Sequence, residues 1–178
     1  FTGQFDIMIW FTSGSDNANT NEGVLFGKGT SSLKIQIETI HDSGAQYVKA
    51  QIGSSSNIIT GSNVNTLTAQ TKNASGYHWV RLKRDGNNLV TLSVDGTSEG
   101  TATVAGDVAA TTTDLYIGGG FEGSTIGNPL IAQARLYCGG FLPDSESHHI
   151  MTDSPQCMTM KFRGTAWKVT DRTTKKEV

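Results

Sequence analysis

The chain has 178 residues, a length that fits one domain with its own core rather than two. Charged residues make up 17% of it and the net charge is −2, so the composition gives no electrostatic footprint for nucleic acid. No apolar stretch approaches the roughly 20 residues that cross a bilayer, which argues against membrane insertion.

The first predicted element is a strand, because large apolar side chains occupy every second position from Phe5 to Phe11. Asp6, Met8 and Trp10 take the alternate positions on its other face. Residues 13–22 come next and consist of Ser, Gly, Asp, Asn, Ala, Thr and Glu, a composition typical of a loop.

Alternation with period two then recurs along the chain, and long helical periodicity does not. The further predicted strands lie at 33–38, 47–52, 78–83, 90–94, 115–117 and 130–137. Leu33, Ile35 and Ile37 alternate with Lys34, Gln36 and Glu38, the pattern of a strand with one buried side. Turn residues separate the strands: Asp85-Gly86-Asn87-Asn88 predicts a hairpin, Asp95-Gly96 a turn, and Gly118 to Gly120 a loop.

Little helix is expected. The one candidate runs from Pro143 to Met151, where Asp144 or Ser145 could cap a short turn. The residues from Met158 to Val178 have the pattern of an added hairpin. Many short strands between turn signals predict an all-β sandwich or barrel rather than a parallel sheet.

Several of these segments together resemble the laminin-G-like and concanavalin A-like lectin-glucanase jelly-roll family. The strand and turn Tyr77 to Gly86 is similar to the family's "W-H-H-V-A-x-x-x-D-G" pattern. Further resemblances, in the family's order, lie at 5–11, 25–29, 90–96, 115–119, 130–137 and 141–150. The resemblance implies a two-sheet antiparallel jelly roll over residues 1–152, with residues 153–178 as a C-terminal hairpin or the start of another module.

Catalysis is not expected. A retaining glycosidase needs two carboxyl groups about 5 Å apart, and the "E-x-D-x-x-E" strand of hydrolase relatives is missing. Glu38 has His41 and Asp42 nearby, but the spacing is wrong and a turn is predicted there. Asp144 and Glu146 fall in the predicted helical turn. The domain is therefore predicted not to be an enzyme.

Calcium is the one expected cofactor, because the resemblance implies an ion at the sandwich rim and oxygen-rich loops suit this hard cation. Loop 13–22 supplies Asp16, Asn17 and Glu22 as predicted ligands. Asp107 and Asp114 flank a second loop, from which Asp114 is a further candidate.

Sugar binding needs aromatic faces beside amides and carboxylates. Trp10 and Trp79 could face either a sheet surface or the core, while Phe121 follows three glycines in a loop expected to be exposed. We therefore predict that ligand binding maps to the loops rather than to the sheet face carrying Lys34, Gln36 and Glu38. The predicted ligand-binding residues are Phe121, Glu122, Asn19 and Asn21.

Two functions are compatible with these observations. The first is a lectin-like carbohydrate-binding module for adhesion or attachment, with a glycan or surface protein as partner. The alternative is a structural jelly roll that contacts other chains of a virion or cell-envelope assembly. The hydroxyl- and amide-rich surface places either one outside the cell, on a cell surface or on a virion. Cys138 and Cys157 form a disulfide there or remain separate thiols.

Overall fold

The structure is a computed structural model that describes residues 3–12, 23–42, 45–54, 58–63, 78–109, 113–119 and 130–147. The predicted domain boundary at residue 152 and the predicted hairpin at 153–178 lie outside these ranges and stay predictions. Cys157 lies outside them too. Within the described residues, Cys138 is a free and exposed thiol, so the disulfide is also still a prediction.

The described residues form two antiparallel five-stranded sheets. The strands are β1 (Phe5–Thr12), β2 (Gly23–Thr30), β3 (Leu33–Asp42), β4 (Ala45–Gly53), β5 (Ile58–Asn63), β6 (His78–Arg84), β7 (Leu89–Val94), β8 (Thr97–Thr103), β9 (Leu115–Ile117) and β10 (Leu130–Cys138). The first sheet has the order β10-β1-β6-β7-β8 and the second β5-β4-β3-β2-β9. The predicted all-β, two-sheet sandwich is thereby confirmed.

The apolar side chains of the predicted alternation meet between the two sheets. Phe5, Ile7, Ile9 and Phe11 of β1 are at most 1% exposed and belong to one cluster with Ile35 of β3. Burial of each such side chain stabilises the fold by about 1.5–3 kcal/mol, so this cluster holds the sandwich together.

The outer side of the first sheet is buried as well. Met8, Trp10 and Trp79 form a separate cluster there, against which Leu142 packs. Trp10 is 1% exposed and Trp79 8% exposed, so neither ring is available to a ligand. The sequence left open which way the two tryptophans face. They face away from the inter-sheet core and are buried beneath the chain that follows β10.

A buried ion pair fixes this covering segment to the sheet. Arg81 donates hydrogen bonds to both carboxylate oxygens of Asp6, at 2.9 and 2.6 Å, and Asp6 is fully buried. The same guanidinium donates to Asp144 Oδ1, Ser147 Oγ and the Leu142 carbonyl, each at 2.7 Å. Burial alone would lower the pKa of Arg81, but the hydrogen bonds and charges of Asp6 and Asp144 together outweigh it and raise that pKa.

The predicted helix is present as a short turn at 144–147, and its remaining predicted residues lie outside the described ranges. The described residues contain no helix of the length and hydropathy needed to traverse a bilayer. The expectation of a turn at His41 and Asp42 is wrong. Strand β3 continues to Asp42, which pairs with Ala45, because the antiparallel ladder with β4 extends that far.

Candidate functional site

The two loops predicted to bind ligand and metal, 13–22 and 120–129, lie outside the described residues, but the strands that flank them are described. Thr12, which precedes the first loop, faces Leu130, which follows the second. On the other sheet, Gly118 donates a backbone hydrogen bond to Leu25 at 3.3 Å. A Cβ placed on Gly118 would lie 3.5 Å from Ile131 Cδ1, so the end of β9 meets the start of β10. Both loops therefore leave the sandwich at one rim.

Of the predicted site residues, only Asp114 is described. The predicted ligand-binding residues Phe121, Glu122, Asn19 and Asn21 and the predicted metal ligands Asp16, Asn17 and Glu22 lie outside the described ranges. Asp114 is exposed and directly precedes Leu115, which faces Lys28 near the far end of β2. Asp114 therefore lies at the level of Gly29, which is six positions along β2 from Gly23, a distance of about 20 Å. The structure thus does not bring Asp114 next to the ends of loop 13–22.

The described residues contain no group of three or more His, Cys, Asp or Glu side chains that could hold a metal ion. The calcium prediction rests on residues outside the described ranges and remains untested. His78 pairs with Phe11 at the same rim and is 5% exposed. Its Nδ1 lies 2.7 Å from Asp95 Oδ2, while Asp95 Oδ1 accepts a hydrogen bond from the Trp79 amide.

A set of polar and aromatic side chains covers the outer side of the second sheet beside this rim. Residues 35 and 37 of β3 and residues 48 and 50 of β4 point into the core. The residues that alternate with them along each strand therefore point outward. The same argument applies to the residue between Leu115 and Ile117 of β9. We call this surface the polar face, and its members are Gln36, Glu38, Tyr47, Lys49, Gln51 and Tyr116.

Glu38 organises the centre of the polar face. Its Oε1 lies 2.6 Å from Lys49 Nζ, and its Oε2 accepts a hydrogen bond of 2.5 Å from Gln36 Nε2. Both carboxylate oxygens are therefore engaged by neighbouring side chains. Gln36 retains its amide oxygen as an acceptor, and Lys49, whose side chain is 27% exposed, retains further N–H donors.

The burial of this centre differs from the sequence prediction. An exposed polar side was expected for β3, but Gln36 is 9% exposed and Glu38 only 8%. In the ladder, Glu38 sits between Lys49 of β4 and Val24 of β2, and Val24 is itself buried. Flanking neighbours and a closed hydrogen-bond network allow these polar groups to be buried without leaving them unpaired.

The ladder aligns one row of the polar face across four strands. Gln51 faces Gln36, Gln36 faces Gly27, and Gly27 faces Tyr116. Three strand spacings separate the Gln51 and Tyr116 backbones by about 14 Å. Because Gly27 has no side chain, the row is recessed between Gln36 and Tyr116. This row offers two side-chain amides and a phenol ring along one shallow line, and the ammonium group of Lys49 lies in a separate row, opposite Glu38.

The chemistry of the polar face suits binding better than hydrolysis. Tyr47 and Tyr116 are half-buried, and such rings stack on the apolar faces of sugars while amides hydrogen-bond hydroxyl groups. Among the described side chains of this face, Glu38 is the one carboxylate. A glycosidase needs a second carboxyl group, about 5 Å away in the retaining case.

Sequence reasoning did not place the tyrosines, Lys49 or Gln51 of the polar face among its predicted ligand-binding residues. The signal was present: polar residues alternate in step on two neighbouring strands, 34–38 and 47–51. What was missing was the register, which places Glu38 opposite Lys49.

No family model matches the chain, and no relative is found among curated proteins. Solved structures do resemble it. The binding domain of botulinum neurotoxin serotype D matches with a TM-score of 0.61 and 11% identity, covering 86% of this chain and 38% of that one. The chain thus spans well under half of that neighbour.

Two further neighbours are carbohydrate-binding modules by name or by ligand. One is the CBM40 of a Ruminococcus gnavus IT-sialidase bound to α2,6 sialyllactose, with a TM-score of 0.57, 18% identity, and coverage of 84% of this chain and 83% of that one. The other is domain 4 of AbnA, an extracellular GH43 arabinanase from Geobacillus stearothermophilus, in complex with arabinotriose. It matches with a TM-score of 0.53, 17% identity, and coverage of 84% and 66%. At these identities the likeness establishes the fold: the chain has the two-sheet β-sandwich of these binding domains.

Proposed function

We propose that the chain is a non-catalytic carbohydrate-binding module that attaches to glycans outside the cell. The observation that carries this proposal is the polar face, where Tyr47 and Tyr116 lie on the same side of one sheet as Gln36, Gln51 and Lys49. Aromatic rings beside amide donors and acceptors are the groups that sugar recognition uses.

The structural neighbours support the same function. Domains of this fold have been solved with sialyllactose and with arabinotriose, and a related toxin binding domain has been solved in complex with SialylT. A fold that hosts several sugar sites raises the expectation of one here, although the site itself must be argued from its residues.

This proposal departs from the sequence prediction, which assigned binding to the loops rather than to the sheet face that carries Gln36 and Glu38. The polar face and the predicted loop residues are proposed to form one site. Loop 13–22 ends at Glu22, two residues before Val24, which faces Glu38. Loop 120–129 begins four residues after Tyr116. In this proposal the polar face is the floor of the site, and the predicted ligand-binding residues Phe121, Glu122, Asn19 and Asn21 contribute to the same site.

A glycan array probed with the full chain tests the proposal, followed by calorimetric titration of the sugars that bind. Tyr116→Ala should weaken binding roughly five- to 150-fold, because stacking of a ring on an aromatic side chain is worth on the order of 1–3 kcal/mol. The matched control is Phe141→Ala, which removes a 39% exposed ring associated with the other sheet and should leave the affinity unchanged.

Absence of binding to every glycan on the array would overturn the proposal. Equal losses in Tyr116→Ala and Phe141→Ala, with melting temperatures preserved, would instead retain sugar binding and move it away from the polar face.

A further inference from the structure

We propose that the polar face binds an internal stretch of a single, extended glycan chain, which lies across the strands rather than along them. The inference rests on the proposed function and names the ligand class of the same site. It depends on four paired positions of the second sheet, which we call the cross-strand row: Gln51, Gln36, Gly27 and Tyr116.

The length of the cross-strand row fits several sugars. Neighbouring strands of a sheet lie about 4.8 Å apart, which is close to the length of one pyranose residue in an extended chain. A chain that crosses from Gln51 to Tyr116 therefore advances by about one sugar per strand, and about three sugars span the row. A single terminal sugar would contact only one part of the row.

The charges beside the row set the direction of the chain. All four positions of the row are uncharged. The outward positions on either side carry Lys34 and the Glu38–Lys49 pair, each two residues along its strand and about 7 Å away. A chain along β3 would pass over charged groups, whereas a chain across the strands runs between them and meets amides and a ring.

The groups along the row differ from strand to strand. Gln51 and Gln36 bring side-chain amides to adjacent strands, and Gln36, which is 9% exposed, retains its amide oxygen as an acceptor at the floor. Gly27 contributes no side chain and leaves the recess between Gln36 and Tyr116. Tyr116 on β9 then presents a half-buried ring for stacking. Successive sugars of one chain therefore meet different contacts, so affinity should depend on chain length.

The twist of the sheet favours a single chain over a flat polysaccharide surface. Adjacent strands are rotated by about 20–25°, so the directions of the Gln51 and Tyr116 side chains diverge by roughly 60–75° about the row. The other ring of the polar face, Tyr47, lies four residues from Gln51 along β4 and outside the row. A flat surface needs coplanar rings, whereas a single chain turns about its glycosidic bonds. Microcrystalline cellulose should therefore not retain the chain, and retention that Tyr116→Ala abolishes would contradict the inference.

Calorimetric titration of the full chain with cello-, xylo-, manno- and arabino-oligosaccharides, from monosaccharide to hexasaccharide, tests the dependence on length. Within a series that binds, the affinity should rise at least about tenfold from the monosaccharide to the tetrasaccharide and then level off, because each added sugar contributes hydrogen bonds only until the row is filled. A monosaccharide that binds as tightly as its tetrasaccharide would overturn the inference and leave the proposed function intact. So would binding to other glycans of the array and to none of these series. Binding to no glycan would overturn both.

Variants at the two ends of the row separate a spanning chain from a sugar held at one end. Gln51→Ala should weaken tetrasaccharide binding about two- to tenfold, the loss expected for one hydrogen bond, and should leave disaccharide binding at the Tyr116 end unchanged. Tyr116→Ala should weaken both. The matched control, Gln133→Ala, removes an amide from β10 of the first sheet and should change neither affinity. In Gln51→Ala with a preserved melting temperature, an unchanged tetrasaccharide affinity, or equal losses for the two sugars, would contradict the inference.

Discussion

Lys49 Nζ and Glu38 Oε1 lie 2.6 Å apart on directly paired positions of β3 and β4. Glu38 is 8% exposed, so its carboxylate depends on this ammonium group and on the Gln36 amide for compensation. Removal of one partner from such a pair leaves a charge that is partly desolvated and unneutralised. The pair thus links the stability of the second sheet to the electrostatics of the proposed site.

Lys49→Met should lower the free energy of unfolding by about 1–3 kcal/mol. This loss is smaller than the loss expected on breaking a fully buried ion pair, because Lys49 is partly exposed. Urea denaturation measures this change. The double variant Glu38→Gln/Lys49→Met is the control and should recover part of the loss, since it leaves no unpaired charge. Equal losses in the single and double variants would show that the charge pair is not the cause.

The buried Arg81–Asp6 pair predicts a larger effect on the first sheet. Asp6→Ala should cost about 3–5 kcal/mol of unfolding free energy, because Arg81 would keep its charge while losing its principal partner. Replacing both residues with apolar ones, Asp6→Leu with Arg81→Met, should cost clearly less. If Asp6→Ala were as stable as the wild type by denaturant unfolding, the pair would not fix the covering segment.

The same network predicts a small acid sensitivity through Asp144. The hydrogen bond from Lys83, together with that from Arg81, lowers the pKa of Asp144 in the folded chain. Because this pKa is depressed, the contribution is complete above the unfolded value near 3.9 and is lost as pH falls through the folded value. Its size should stay below about 1 kcal/mol, since the carboxylate is 76% exposed and screened. Denaturation of the wild type and Asp144→Asn at pH 3 and pH 7 measures it, and the two stabilities should converge at acid pH.

The loop prediction is tested by Phe121→Ala, which should weaken glycan binding while the melting temperature stays within a few degrees, as for a surface change of about ±0.5 kcal/mol. Trp79→Ala is the contrasting variant. It truncates a ring that is 8% exposed and packed with Met8 and Trp10, and should cost about 3–5 kcal/mol. Unfolding of Phe121→Ala would place Phe121 in the core and exclude it from the site.

The calcium prediction for loop 13–22 has a direct chemical test. If Asp16, Asn17 and Glu22 hold a calcium ion, chelation by EDTA should lower the melting temperature, and added calcium should restore it. Asp16→Asn should abolish the response. Asp114→Asn should retain it, because Asp114 lies about 20 Å along β2 from Gly23, where loop 13–22 joins the sheet. A melting temperature unaffected by EDTA or calcium would contradict a calcium site.

The fold was accessible to sequence reasoning because its signals are local. Alternation from Phe5 to Phe11 identifies the inner face of β1, and the Asp85 to Asn88 turn identifies a hairpin whose Asn88 has a φ of 65°. The burial of the other face of β1, which carries Met8 and Trp10, could not be predicted from the sequence. Trp10 is covered through Leu142, and this contact depends on an Arg81–Asp6 pair that spans 75 residues of sequence.

The candidate site shows the same division. Tyr47 and Tyr116 could be named as available rings from the sequence, but nothing local to either tyrosine indicates that they share a face. The registers of β3 with β4 and of β2 with β9 settle that point. Burial of Glu38 was mispredicted because alternation reports which side a residue faces and not whether that side is covered.

The central claim, that the polar face is the floor of a glycan site, is tested most directly by two-dimensional NMR of the full chain titrated with a glycan that binds on the array. The account predicts that the side-chain amide signals of Gln36 and Gln51 shift progressively with added sugar, while that of Gln133 on β10 of the first sheet does not. Shifts confined to Gln133 and its neighbours on the first sheet would contradict the account.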